Sequence, residues 1–349
     1  MSEPQIIQPI SNNDSLTPFV FKKNNSDLFV LYLKTVLLSV ITLGIYSFWG
    51  RVAITKYLYS HISIGGRPFD YHATGKEMFL GFLKGLGLVA GIFAVYMILS
   101  WSGTLILRLI KLSGVFGSAT VIVSVIAALP VVIYWSALII YGLPFVLLGK
   151  WRFMLSRSSW CSVRFANSGD PKALRSILIK GILLSVVTFG LYSLVLQNKL
   201  QKFFADHSRF GTLKFAYDGT DKEYFWLNLK GILLSVVTIG IYSFWYMAAV
   251  NRFIFSHTSL NGRRLNNTMT GGGLFGLTIT NILIIIGTVG FGFSIATNRM
   301  YSYFYGNLFI DGKAEYFETA AGTQDTGASA LAIGIEEAAN VVDAVSGIF

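Results

Sequence analysis

Three of the four histidines, His61, His207 and His257, recur at spacings of 146 and 50 residues, each just before a short Ser/Thr-rich run. Imidazoles at matching places of a repeated chain could converge as metal ligands or as a proton relay. The same placing suits the end of a helix, where His meets the dipole and the last carbonyls. That reading weighs more, because no cysteine or carboxylate cluster accompanies them. Lys34, Lys84, Lys180 and Lys230 stand in a second matched set, each in an apolar run. An ionisable side chain at membrane depth is a functional candidate, although a lysine near the end of a span can snorkel to the headgroups. Gly271-Gly272-Gly273 lacks the G-K-[ST] ending of a phosphate loop. No Ser/His/Asp arrangement and no paired carboxylates stand out. The expectation is a protein that is no enzyme, with no cofactor and no metal.

These residues must be positioned by something built for lipid. Of 349 residues, 53% are apolar and 13% are charged, against about 25% charged in soluble domains, and the mean hydropathy is +0.59. A single cysteine, Cys161, excludes a disulfide within the chain. Six acids and no basic residue fall in residues 314–349, which leaves 28 basic against 11 acidic residues before them. Those bases lie between apolar runs, so anionic lipid headgroups are the expected partner and nucleic acid is not.

Six apolar stretches, near residues 28–50, 78–101, 118–149, 174–196, 224–250 and 274–297, approach or exceed the ~20 residues of a spanning helix. Lys180-Gly-Ile-Leu-Leu-Ser-Val-Val-Thr-Phe-Gly190-Leu-Tyr-Ser193 returns as Lys230-Gly-Ile-Leu-Leu-Ser-Val-Val-Thr-Ile-Gly240-Ile-Tyr-Ser243, and the frame fits Lys34, Gly44 and Tyr46. A shift of 146 relates Phe69, Tyr71, Thr74 and Glu77 to Phe215, Tyr217, Thr220 and Glu223. Six units of about fifty residues in two halves follow. Gly44-x-Tyr46, Gly190-x-Tyr192 and Gly240-x-Tyr242 are repeat-motif structural positions, read as close helix packing with a Tyr anchor. Thr74-x-x-Glu77 and Thr220-x-x-Glu223 are capping boxes. Runs such as Ser60-His-Ile-Ser-Ile-Gly-Gly66 predict a helix end, a turn and a small hairpin.

The expected architecture is an all-α integral membrane protein. About six transmembrane helices run in tandem repeats, with short amphipathic helix and β-hairpin elements between spans. A polar segment (1–27) precedes the membrane domain (28–313, halves about 28–173 and 174–313). An acidic tail (314–349) follows, with an amphipathic stripe of Leu331, Ile335, Ala338, Val342 and Val345.

The pattern T-x-G-[IL]-Y-x-[FL] closing an apolar run, followed by S-H-T-x-x-x-G before a hairpin, resembles the YjgN family of bacterial inner-membrane proteins. The motif fits Thr42 to Phe48, Thr188 to Leu194 and Thr238 to Phe244, and the histidines at 61, 207 and 257; Arg157 stands where a further His would be. The resemblance implies a multi-pass protein of the bacterial plasma membrane and supplies no activity. Three crossings per half would invert the second half, a hallmark of secondary transporters, so a transporter-like or channel-like protein for a small solute is the first expectation. A non-transporting membrane scaffold or anionic-lipid-binding protein is the alternative. A third arrangement, units that dip in and return at Gly-x-Tyr, is left open because only 16 residues separate Lys34 from Arg51.

Overall fold

The computed structural model describes residues 16–112 and 143–321, with a few isolated positions between 129 and 142. The third apolar stretch falls largely outside the described residues, as do the stripe from Leu331 to Val345 and most of the polar N-terminal segment.

Four helices begin where a Thr or Asp side chain takes over an orphaned backbone donor. Thr74 Oγ1 accepts from Glu77 N while a Glu77 carboxylate oxygen accepts from Thr74 N, at 3.2 and 3.0 Å. Asp170 and Thr220 cap the corresponding helices of later units. The helices that begin at Asp170 and Thr220 each run seventeen residues and stop at the Thr-x-Gly-x-Tyr motif. Thr188 Oγ1 donates to Leu184 O and accepts from Tyr192 N. Phe189 and Gly190 both turn to positive φ, 50° and 90°, and Gly190 N returns to Ser185 O at 2.7 Å. Positive φ at two successive residues reverses the chain, and a glycine at the second carries no Cβ penalty.

The result is a helical hairpin, repeated around the molecule. The pairs are α1 (Asn25–Ile41) with α2 (Ser47–His61), then, after α3 (Gly75–Leu112) and α4 (Leu143–Ser156), which take the matching places of the second pair and whose connection lies outside the described residues, α5 (Pro171–Val187) with α6 (Tyr192–Asp206), α7 (Asp221–Val237) with α8 (Ser243–Ser256), and α9 (Gly271–Gly287) with α10 (Phe293–Gly306). A short β-hairpin follows each of the first four pairs: β2 and β3 (Ile62–Ile64, Arg67–Tyr71), β4 and β5 (Ser158–Trp160, Val163–Asn167), β6 and β7 (Ser208–Phe210, Leu213–Tyr217), β8 and β9 (Thr258–Leu260, Arg263–Asn267). After the fifth pair comes β10 (Leu308–Asp311), whose partner is β1 (Leu16–Phe21) from the start of the chain, with Thr17 opposite Ile310. Ten antiparallel strands thereby close into a barrel.

Ten strands enclose a wider lumen than the eight that ordinary side chains fill, and this one is filled by rings. Phe19, Phe69, Phe165 and Phe215 follow one another around the wall with centroids 6.4 Å apart. Beside them stand Ile64, Trp160, Phe210, Leu260 and Ile310 in one buried cluster. The end carrying the strand turns is covered by α11 (Ala314–Ala321). Its Phe317 is buried in the same cluster, its Tyr316 lies under the Arg263 guanidinium at 4.2 Å, and its Glu318 pairs with Arg67.

This architecture corrects the all-α, six-span expectation. Only one helix, over Gly75–Ile98, is long and apolar enough to cross a membrane among the described residues. The stretches at 28–50, 174–196, 224–250 and 274–297 are each two helices joined at an exposed apex, because hydropathy is blind to a left-handed Gly break. The unit count changes as well: α3 is lengthened to 38 residues, and the ten described strands give five repeats where six are expected. The 146-residue shift relates β3 to β7, two units apart, and the strands form one barrel across residue 173.

Candidate membrane-facing site

All helix pairs leave the barrel from the rim opposite the strand turns, because every second strand feeds the next helix through about three linking residues. Buried amides tie neighbouring pairs. Asn198, 1% exposed, donates to Gly219 O and to Asp221 Oδ1 at the start of α7, and accepts from the Tyr217 hydroxyl at 2.7 Å. Asn298, at the same place in α10, donates to Asn24 O and Asn25 Oδ1, joining the last pair to the first. Burial pushes the Tyr217 phenol well above its ordinary value near 10, with Tyr224, Asp218 and Asp221 adding to the rise.

The histidines end helices. Nδ1 of His61, His207 and His257 donates to the carbonyl four residues back at 2.7 to 2.8 Å. Each ring lies over the aromatic of that turn, Tyr57, Phe203 or Phe253, at 4.0 to 4.4 Å. Their backbone carbonyls accept from the amides of Lys22, Ser168 and Asp218, so each histidine ties the end of a pair to the linker that starts that same pair. Arg157 ends α4 in the same way and pairs with Glu77 at 3.1 Å. No group of three or more His, Cys, Asp or Glu able to hold a metal occurs among the described residues.

The lysines share a height rather than a cavity. Lys34, Lys84, Lys180 and Lys230 are each the tenth residue of the first helix of their pair, and all are exposed. Two grooves of the α7–α8 pair contain none of them. One, at the base of the α7–α8 pair, is lined by Lys222, Glu223, Trp226, Leu227, Phe253 and His257. The other lies near its apex, around Ser235, Val236, Ile239 and Gly240. Gly44, Gly190 and Gly240 make the apexes, and the Tyr46, Tyr192 and Tyr242 amides are the ones their threonines receive.

Sequence reasoning missed the residues beside those glycines. Leu43, Phe189, Ile239 and Val289 are 94, 99, 94 and 87% exposed, the most exposed large apolar side chains described. The signal was present as an apolar residue between Thr and Gly in each motif. Large apolar side chains standing alone at four matching tips mark a surface that meets lipid or another apolar partner.

Residues 16–219, 212–275 and 246–338 match the family described as bacterial proteins of unknown function (DUF898). Inner membrane protein YjgN of Salmonella typhimurium is 39% identical over 64 residues, which are 18% of this chain and 16% of that protein. Inner membrane protein YjgN of Escherichia coli K12 is 37% identical over 65 residues, 19% of this chain and 16% of that protein. The alignment thus covers about one sixth of these relatives' length, and their names support a place in the bacterial inner membrane. No solved structure matches. With family matches running through barrel and helices alike, the chain belongs to the DUF898 family of bacterial proteins, the YjgN family.

Proposed function

We propose that the protein is a non-transporting membrane protein that binds anionic phospholipid, with its barrel at one face of the bilayer and its helical hairpins dipped into it. The observation that carries this reading is directional. All strand turns lie at one end of the barrel and all helix pairs leave the other, ending in exposed apolar apexes. The transport expectation drew on two inverted halves, and pairs that share one barrel rim remove that motive. A lumen packed with phenylalanine, with Phe317 buried in the same cluster, supports the non-transporting reading.

Lys76, Lys172 and Lys222 are each the second residue of a first helix and are exposed at the rim. Trp226 is exposed one turn above Lys222. Lysine and tryptophan at a helix base suit the headgroup layer, where basic residues gain about 1 kcal/mol each from an anionic surface.

The test is to reconstitute the purified protein in vesicles of phosphatidylcholine with and without phosphatidylglycerol, and to measure thermal stability, salt dependence and solute flux. The expected result is stabilisation by phosphatidylglycerol that fades with salt, and no flux. Equal stability in both lipids, or a solute flux abolished by Lys230→Ala, overturns the reading.

A further inference from the structure

The hairpins differ in reach, and their charges say by how much. In four pairs, no charged residue occurs beyond the tenth position of the first helix, over the apex and well into the second helix. The charge-free runs are 35–50, 181–198, 231–251 and 281–298. Below the tenth position charges are frequent: Asp27, Lys172, Arg175, Asp221, Lys222 and Glu223. Lys34, Lys180 and Lys230 sit on the boundary, exposed, in no ion pair among the described residues. The fifth pair has Thr280 there, and the Arg299 guanidinium reaches it, donating to Thr280 Oγ1 at 2.9 Å. A cation is thus supplied at this level even where the lysine is missing.

From Lys180 to the apex at Phe189 is nine residues, about 13 Å at 1.5 Å per residue. One leaflet contributes about 15 Å of hydrocarbon. An apex carried through to the far water would strand Leu43, Phe189, Ile239 and Val289 in it at near-full exposure. An apex that stops near the midplane keeps them in lipid. The second pair differs, because past Lys84 the sequence is charge-free over residues 85–107, and Arg108 follows, exposed. Those 23 residues of α3 rise about 34 Å, enough for the whole ~30 Å core.

We infer that the cations at the tenth positions form a belt at the phosphates of one anionic phospholipid leaflet, that four hairpins end inside that leaflet, and that among the described helices only α3 carries the chain across, its return to the barrel at β4 lying outside the described residues. This rests on the lipid-binding reading and gives it a depth.

The experiment uses the full chain with Cys161→Ser, in intact cells and inverted vesicles, with single cysteines introduced by Lys214→Cys, Arg108→Cys, Phe189→Cys and Val187→Cys. Val187 lies on regular helix, 74% exposed, and guards against an apex disturbed by substitution. Membrane-impermeant maleimide is expected to modify Lys214→Cys from one side and Arg108→Cys from the other, and the remaining two from neither. A fluorophore at Phe189→Cys or Val187→Cys is expected to be quenched most by lipids brominated near the acyl-chain ends. Modification of Phe189→Cys from the Arg108→Cys side, or of Arg108→Cys from the Lys214→Cys side, overturns the inference.

In a companion measurement, the combined Lys34→Gln, Lys180→Gln and Lys230→Gln variant is expected to lose about a hundredfold in affinity for phosphatidylglycerol with depth unchanged. Unchanged affinity removes the belt. If the wild type itself ignores phosphatidylglycerol while the depths stand, the lipid-binding reading fails and the insertion depth does not.

Discussion

Asn198→Ala tests how neighbouring helix pairs are held together. The amide is 1% exposed and makes three hydrogen bonds, to Gly219 O at 3.0 Å, to Asp221 Oδ1 at 2.8 Å and from the Tyr217 hydroxyl at 2.7 Å. Asp221 is 44% exposed at its side chain, so water replaces that partner at little cost. The Gly219 carbonyl and the Tyr217 hydroxyl lie in the interior and stay unpaired. At about 1–3 kcal/mol for each buried group left without a partner, the loss is roughly 2–6 kcal/mol. Tyr217→Phe removes one donor and leaves Asn198 Oδ1 unsatisfied, roughly 1–2 kcal/mol. Because both substitutions break the same bond, the double variant should cost less than the sum of the singles by about 1–2 kcal/mol. Unfolding in mixed micelles titrated with dodecyl sulfate, followed by tryptophan fluorescence, gives all three values. Strict additivity, or a single-variant loss under about 0.5 kcal/mol, refutes the network.

Gly181→Ala and Gly190→Ala should both destabilise, for different reasons. The first places a Cβ against Leu196 Cδ1 and is expected to cost about 1–3 kcal/mol by overpacking. The second has open space but φ +90°, and should cost about 1–2 kcal/mol of backbone strain; reversal of Gly181→Ala alone by Leu196→Ala separates them. Phe317→Ala, at a residue 2% exposed under the barrel mouth, should cost about 3–5 kcal/mol and speed alkylation of Cys161, which packs against the same cluster; unchanged alkylation would mean that α11 does not cover that end. The Tyr217 phenol is raised in the folded protein, so its contribution is complete below the unfolded value near 10 and is lost as pH climbs beyond it. Stability should therefore fall above about pH 10, less steeply in Tyr217→Phe, and an equal slope in the variant would contradict the assignment.

What was legible in the chain was local chemistry. Thr74-x-x-Glu77 and Asp170-Pro171 announce helix starts by type alone, and the hairpins after His61, His207 and His257 are marked by turn glycines and alternation. Closure was not legible. β1 pairs with β10 across almost the whole chain, and Leu16 to Phe21 sits in what reads as a polar leader. Its alternation of Phe19 and Phe21 with Pro18 and Val20 was the available signal. Strands of three to six residues are too short for hydropathy to separate from linkers. The apolar stretches misled because a left-handed pair such as Phe189-Gly190 reverses a helix without lowering its apolar content. The lysines were read as lying near span ends, whereas their shared tenth position appears only once the helix starts are known. Spacing also misled where α3 is extended, since a helix of 38 residues mimics another unit.

The central claim is that every strand turn lies on one side of the membrane, and it is tested most directly by single cysteines at Asp70, Lys214 and Arg264, exposed positions of the barrel wall, in a Cys161→Ser chain. Impermeant maleimide applied to intact cells and to inverted vesicles should modify all three in the same preparation. Labelling of Lys214→Cys from the side opposite to Asp70→Cys and Arg264→Cys would mean that the units alternate across the bilayer, and would contradict the barrel itself.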